Sequence, residues 1–298
     1  MSGCGVIVLG VNPPPRVLLA GGSGFIGAAV ARVLAREAIS FTVADRRHGT
    51  DLSDWEQARL LPAMAAIIHV AGPGSAARSW DEPHRFYREH LLITLNLLEL
   101  ARLHRARLIF GSSYVYGIPQ HLPIDEEHPA NPSNPYMSSK LMAEQLCAAY
   151  TRDFGLPVTA LRIFNPYGPG QPAAFLIPEL IDGIRKGAVN LRDPAPRRDF
   201  VHVADIAEAV LAALRYSHSG FEVFNLGSGA SIAVHELVSL GVRLSGREVS
   251  VRYRSESRQG EIADVVADVS KAAAVLCWSP RIPLDEGIRC LLNRDEIP

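Results

Sequence analysis

Lysine is nearly absent from this chain. Only Lys140, Lys186 and Lys271 occur, and arginine supplies the other basic residues. Net charge is as thin: 30 Lys and Arg against 31 Asp and Glu leave −1. That balance argues against a protein that holds nucleic acid or an anionic membrane through bulk positive charge. The four cysteines, Cys4, Cys147, Cys277 and Cys290, form no C-x-x-C pair. Neither a zinc site nor a disulfide framework is expected from that spacing, and a reducing, cytoplasmic setting is. The ten histidines show no H-x-x-x-H or H-E-x-x-H spacing, so no metal centre is expected. No apolar run approaches the roughly 18 residues of a spanning helix. The first residues have an apolar patch, Val6 to Leu9, but no basic start, and Pro13-Pro14-Pro15 follows at once. Residues 1–15 therefore read as an N-terminal extension rather than a signal peptide. Apolar material is plentiful, at 48 % hydrophobic against 20 % charged residues, enough for a large core and against disorder over the bulk of the chain. A length of 298 residues leaves one large domain or two coupled ones open.

Short apolar runs alternate with longer helical patterns. Arg16 to Ala20, Phe41 to Ala44, Ala65 to Val70, Arg107 to Phe110 and Val158 to Phe164 read as strands. Gly24 to Ala35, Trp80 to Leu103 and Tyr136 to Phe154 between them read as helices. Strands separated by helices of that length predict an α/β fold with a doubly wound parallel sheet over 16–165. Beyond Asn165, prolines and glycines crowd together and the elements shorten. A smaller mixed α/β lobe is expected over 166–298, with segments near 200–226 returning to the first domain.

The first strand runs directly into Gly21-Gly22-Ser23-Gly24-Phe25-Ile26-Gly27, a G-x-x-G-x-x-G turn at a strand-to-helix junction. Glycine suits a tight turn, a close approach of backbone to a pyrophosphate and close helix–strand packing. The helix N-terminus then offers free N–H groups to phosphate. Three glycines alone are a weak signal. The strand before them, the helix after them and Asp45 at the end of the next strand make it a dinucleotide site, with the carboxylate placed for an adenosine ribose. The charge of Asp45 would repel a 2′-phosphate and so favours NAD, whereas Arg46 and Arg47 next to it would oppose that reading. Further on, Tyr136 and Lys140 stand four residues apart on a helical pattern, one turn, and so share a face. An ammonium near a phenol favours the phenolate, and the site would need roughly 3 pK units of that help to make tyrosine useful at neutral pH.

With these residues in view the sequence resembles the extended short-chain dehydrogenase/reductases, in particular the nucleotide-sugar epimerase/dehydratase group typified by UDP-glucose 4-epimerase. The supporting stretches are Gly21 to Gly27, Asp51-Leu52, His69-Val70-Ala71-Gly72, Ser112 to Gly117, Pro135-Tyr136-x-x-Ser139-Lys140 and Arg162-x-Phe164-Asn165-Pro166-Tyr167-Gly168. Arg198 to Val203, Phe224 to Gly229, Arg258-x-Gly260-Glu261 and Trp278-x-Pro280 follow in order. The resemblance implies a Rossmann-type NAD-binding domain and a substrate lobe. It makes Tyr136 the general acid/base, Lys140 its partner on the nicotinamide ribose, and Ser112 the hydroxyl that meets the sugar. Gly21, Gly24, Phe25, Ile26, Gly27, Asp45, Asp51, Leu52, Val70 and Ala71 would line the cofactor, together with Tyr136 and Lys140. Asn165, Arg198 and Arg258 would hold the nucleotide diphosphate. A homodimer is also implied, through a four-helix interface built from the two helices about Trp80 to Leu103 and Tyr136 to Phe154.

Two departures from the group's pattern stand out. His90 occupies a place where many members carry Asn, and it reads as a structural hydrogen bonder or a proton relay. No carboxylate follows Ser112, so elimination of water and decarboxylation are not expected. The implied activity is a 4-epimerase that oxidises C4 transiently to a 4-keto sugar and returns the hydride. The alternative is a 4-ketoreductase of deoxysugar synthesis using the same residues. A non-enzymatic sensor on this fold would be expected to have lost the tyrosine or the lysine, and this chain keeps both.

Overall fold

The computed structural model describes residues 17–254 and 261–293. The first half runs β1 (Val17–Ala20), α1 (Phe25–Arg36), β2 (Phe41–Ala44), α2 (Trp55–Ala58), β3 (Ala66–His69), α3 (Ala76–Asp81), α4 (Pro83–His104), β4 (Arg107–Ser113), α5 (Pro135–Phe154) and β5 (Val158–Ile163). The second half adds β6 (Asn165–Tyr167), α6 (Leu176–Lys186), β7 (Ala188–Leu191), β8 (Arg197–Arg198), β9 (Phe200–His202), α7 (Val203–Arg215) and β10 (Phe221–Leu226). It closes with β11 (Ile232–Ala233), α8 (Val234–Ser245), β12 (Ser250–Tyr253), α9 (Ser270–Leu276) and α10 (Leu284–Asn293).

Six strands form one parallel sheet in the order β10-β5-β4-β3-β1-β2. Its strands are apolar on both faces because both faces are covered. Val17, Leu19, Ile68, Ile109 and Leu161 pack under α1 and α7. Leu18, Ala20, Ile67, Leu108 and Phe110 point the other way, toward α4 and α5. The strand order reverses between β1 and β3, which opens a crevice at their carboxyl ends, where open α/β sheets bind ligands. This is the doubly wound α/β fold expected from the alternation of strands and helices.

The last strand of the sheet comes from late in the chain: β10 pairs with β5 from Phe221↔Val158 to Leu226↔Ile163. A separate core of Tyr167, Ile177, Leu180, Ile184, Val189 and Leu237 lies under α6, α8 and the parallel pair β7–β12. A third group, Tyr114, Tyr116, Ile124, Phe164, Ile262 and Val265, joins the long β4–α5 connection to residues after Phe164.

The structure departs from the sequence reading in one place. The single helix expected over Trp80 to Leu103 is two, broken at Glu82, whose φ of −124° and ψ of 45° are not helical. Pro83 explains the break: it has no N–H to give the preceding turn and disfavours helical backbone in the residue before it. Among the described residues, Cys147 and Cys290 are free thiols. Among the described residues, no helix is long and apolar enough to cross a membrane.

Candidate active site

The glycine-rich turn sits at the crevice, and its glycines are there for space. Gly21 has φ +88°, and a Cβ on it would lie 2.7 Å from the Ala71 backbone. A Cβ on Gly27 would lie 2.0 Å from the Gly21 carbonyl oxygen. Turn, helix and the strand end at Val70-Ala71 are therefore in mutual contact. Gly24 caps α1 without a side-chain hydrogen bond, and the first turn carries no acid. The opening amides of Phe25, Ile26 and Gly27 have no carbonyl of their own helix within reach. Asp45 borders the turn and accepts from the Ser23 amide at 2.8 Å and the His48 amide at 3.1 Å. Burial opposes its charge, but bonds from His48 and Ser23 outweigh that and hold the carboxyl at about 2. Arg46, which could have welcomed a 2′-phosphate, is bound to Asp51 and Glu89. Asp51 also accepts from Ser53, and the Leu52 carbonyl accepts from Asn96 on α4 at 2.9 Å, which ties this loop to α4. His69 Nδ1 accepts the Ala71 amide at 3.3 Å and its Nε2 faces Thr94, so the β3 end is anchored by a neutral ring.

Tyr136 and Lys140 open α5, with Pro135 at its first position and Asn134 as cap. Lys140 is buried, donates to the Gly111 carbonyl at 2.9 Å and lies over the Phe110 ring. Burial lowers it to about 8, against the charge of Glu144. Burial also pushes the Tyr136 phenol up, opposed by a hydrogen bond with the Ser113 side chain. Burial thus dominates at the Tyr136 phenol, and the Lys140 ammonium is turned to the Gly111 carbonyl.

The two serines divide. Neighbours on a strand point to opposite faces. The Ser112 hydroxyl donates to Glu144, which is clamped by Arg162 at 2.7 Å. Arg162 continues to the Tyr116 hydroxyl at 3.0 Å and stacks on that ring. Ser112 is thus the first member of a buried structural network, and Ser113 is the hydroxyl beside Tyr136. The sequence reading named Ser112 and not Ser113, because what separates them is the capture of Ser112 by Glu144, which spacing along the strand does not reveal.

On the other side of the crevice, Asn165 donates to the Asp199 carbonyl at 3.0 Å. Arg198 donates to the carbonyls of Arg197 and Ile262, at 2.8 and 2.7 Å, and pairs with Glu261. Asp199 is fully buried and gathers the amides of Ser228, Gly229 and Ala267, which holds the loop after β10 against the segment that carries Glu261 and Ile262. Arg258 lies outside the described residues.

The NAD dependent epimerase/dehydratase family matches residues 17–227. The chain is 31 % identical to a putative UDP-glucose 4-epimerase of Methanocaldococcus jannaschii, over 93 % of this chain and 97 % of that one. The chain belongs to the NAD dependent epimerase/dehydratase family. Two solved structures of similar proteins cover more than nine-tenths of it. MoeE5 in complex with UDP-glucose and NAD superposes with a TM-score of 0.87 at 30 % identity, covering 93 % of this chain and 97 % of that one. RMD from Pseudomonas aeruginosa, complexed with NADPH, gives 0.86 at 29 %, covering 94 % and 98 %.

As a member of this epimerase/dehydratase family the chain is an NAD-dependent enzyme, and its residues fit that cofactor. The uncapped start of α1 offers amides to a pyrophosphate. The ionised Asp45 stands at the end of β2 for a ribose. Lys140, a donor held at the Gly111 carbonyl on β4, is of a kind that could share a hydrogen with a ribose hydroxyl.

Proposed function

We propose that the chain is an NAD-dependent nucleotide-sugar 4-epimerase. In this reading residues 16–165 carry the cofactor and the lobe beyond them carries the substrate. Tyr136 takes the proton from the sugar C4 hydroxyl at its phenolic oxygen and later gives it back, with Ser113 hydrogen-bonded alongside. NAD, when bound, would supply the reversible hydride transfer at C4 through which the configuration there is inverted. Lys140 keeps the ribose in place, and its positive charge favours loss of the Tyr136 proton. Asn165, Arg198 and Arg258 hold the nucleotide diphosphate, so affinity comes from the nucleotide and leaves the sugar free to turn over.

One observation carries the reading: Tyr136 and Lys140 share one face of α5 beside Ser113, with serine and tyrosine where an eliminating enzyme would need a carboxylate. The names of the relatives, UDP-glucose 4-epimerases, support it. A 4-ketoreductase remains the second reading, favoured by the likeness to RMD complexed with NADPH. Incubation with UDP-glucose or UDP-galactose, and with the corresponding uronic acids, separates the two. An epimerase brings both epimers to equilibrium from either side by NMR, with no lasting change in nicotinamide absorbance. Steady NADH consumption with a 4-keto sugar nucleotide, and no interconversion, would establish the reductase instead.

We also infer a homodimer. Leu92, Leu95 and Leu103 on α4 and Met142 and Phe154 on α5 are exposed on two adjacent helices. Apolar side chains at helical spacing on such a pair suit a four-helix contact with a second copy. Sedimentation of the protein and of a Leu95→Glu variant tests this.

A further inference from the structure

His90 ties together three elements around Tyr136. It lies on α4, 1 % exposed. Its Nε2 is 3.1 Å from the Pro73 carbonyl oxygen in the loop after β3, and its Nδ1 is 2.8 Å from Ser139 Oγ on α5. The ring meets the Tyr136 ring edge-on at 5.7 Å, and Phe86 closes the cluster at 5.9 Å from His90 and 6.1 Å from Tyr136. Gly72, at φ +124°, has been cleared for this ring: a Cβ there would lie 2.6 Å from His90 Cδ2.

The partners fix the proton. A carbonyl oxygen only accepts, so Nε2 carries the hydrogen, Nδ1 accepts, and the Ser139 hydroxyl donates to it. That hydroxyl is also 2.9 Å from the Tyr136 carbonyl, but its single hydrogen serves one acceptor. Burial, with the charge of Lys140 behind it, lowers the imidazole to about 2, so the ring works as a fixed neutral link and not as a proton relay.

We propose that His90 is a positioning residue that fastens the Gly72–Pro73 loop to the first turn of α5 and so sets the distance between the cofactor groove and the Tyr136 hydroxyl. The proposal rests on the reading of Tyr136 as the acid/base. Neither hydrogen bond touches a reacting atom. Each acts on a segment that does: the loop follows Val70 and Ala71 at the groove, and Ser139 lies within one turn of Tyr136. A loosened link lets the loop and the helix drift apart, which costs turnover more than binding.

The test uses steady-state kinetics on full-length His90→Phe, His90→Asn, Ser139→Ala and the double variant His90→Phe/Ser139→Ala. NAD retained per folded protein and melting temperature are measured alongside. We expect His90→Phe to lower kcat about tenfold or more with KM within about twofold, because misplacement of reacting groups acts on turnover. Ser139→Ala removes one hydroxyl, tests the same link even where the Phe variant folds poorly, and should give a smaller loss of the same kind. The double variant should be no worse than His90→Phe alone, since both break one connection. His90→Asn, which keeps a donor and an acceptor, should recover most of kcat. Turnover per NAD-loaded site within about twofold of wild type in His90→Phe, or losses that multiply in the double variant, overturns the proposal. Should the wild-type chain turn over no nucleotide sugar, the functional reading fails by itself. His90 is then judged on NAD retention, expected to fall in His90→Phe and Ser139→Ala, and unchanged retention sinks the link.

Discussion

Asp45 Oδ2 accepts the Ser23 amide hydrogen at 2.8 Å, so the end of β2 holds the glycine-rich turn after β1 from the side. The other oxygen takes the His48 amide and meets His48 Nδ1 at 2.8 Å. A carboxyl held at about 2 when folded, against an ordinary 3.8, stabilises the fold wherever it is ionised. Its contribution is complete above about pH 4 and is lost as pH falls toward about 2. We expect Asp45→Asn to be less stable than wild type at near-neutral pH by something on the order of 2 kcal/mol, with the gap closing in acid. Urea unfolding at several pH values reads it. A gap of constant size down to the acid limit would falsify the assignment.

The same carboxylate governs cofactor choice. Asp45→Ala removes the charge that repels a 2′-phosphate while Arg46 stays tied to Asp51 and Glu89. The preference for NAD over NADP should shrink by about tenfold, the scale of one lost charged contact. Calorimetric titration with both cofactors checks this. A wild-type protein that already binds NADP more tightly would reverse the reading of Asp45.

Much of this was legible in the sequence, for physical reasons that differ by element. The sheet could be read because strands covered on both faces are short continuous apolar runs. The turn could be read because only glycine fits where a Cβ on residue 27 would meet the Gly21 carbonyl. The sixth strand was harder. Phe221–Leu226 carries Glu222 and Asn225 in its middle, and their partners, Lys271 and Tyr116, are far away in sequence. The choice between Ser112 and Ser113 was invisible to spacing. It depends on Glu144, one turn beyond Lys140, capturing the first serine.

Tyr136→Phe removes only a hydroxyl from a side chain packed among Phe86, His90 and the Ser113 side chain. The fold and NAD retention should survive. Turnover should fall at least about 100-fold, as on loss of a general acid/base. A variant that keeps a near-normal rate takes Tyr136 out of the chemistry.

The two serines should separate cleanly. Ser113→Ala leaves the buried network whole and should lower kcat about tenfold or more while melting near wild type. Ser112→Ala deprives Glu144 of a donor in a buried site, a cost of roughly 1–3 kcal/mol in stability, with turnover per folded enzyme little changed. The opposite pattern would return the sugar-facing role to Ser112.

Arg198 offers the last test, because its guanidinium is already engaged. It pairs with Glu261 and donates to the Ile262 carbonyl, so an arriving diphosphate must share it with a carboxylate. Arg198→Ala removes a charge-assisted contact and leaves Glu261 to repel the phosphates. KM for the nucleotide sugar should rise about tenfold or more, with NAD affinity unchanged. Glu261→Gln works the other way on the charge, since the amide keeps a hydrogen-bond acceptor for Arg198 but withdraws the competing negative charge. Affinity for a free nucleoside diphosphate should then hold or rise, and its dependence on salt should steepen. If both variants bind the nucleotide as wild type does, the diphosphate sits elsewhere and Arg198 serves only to join the segment at Ile262 to β8.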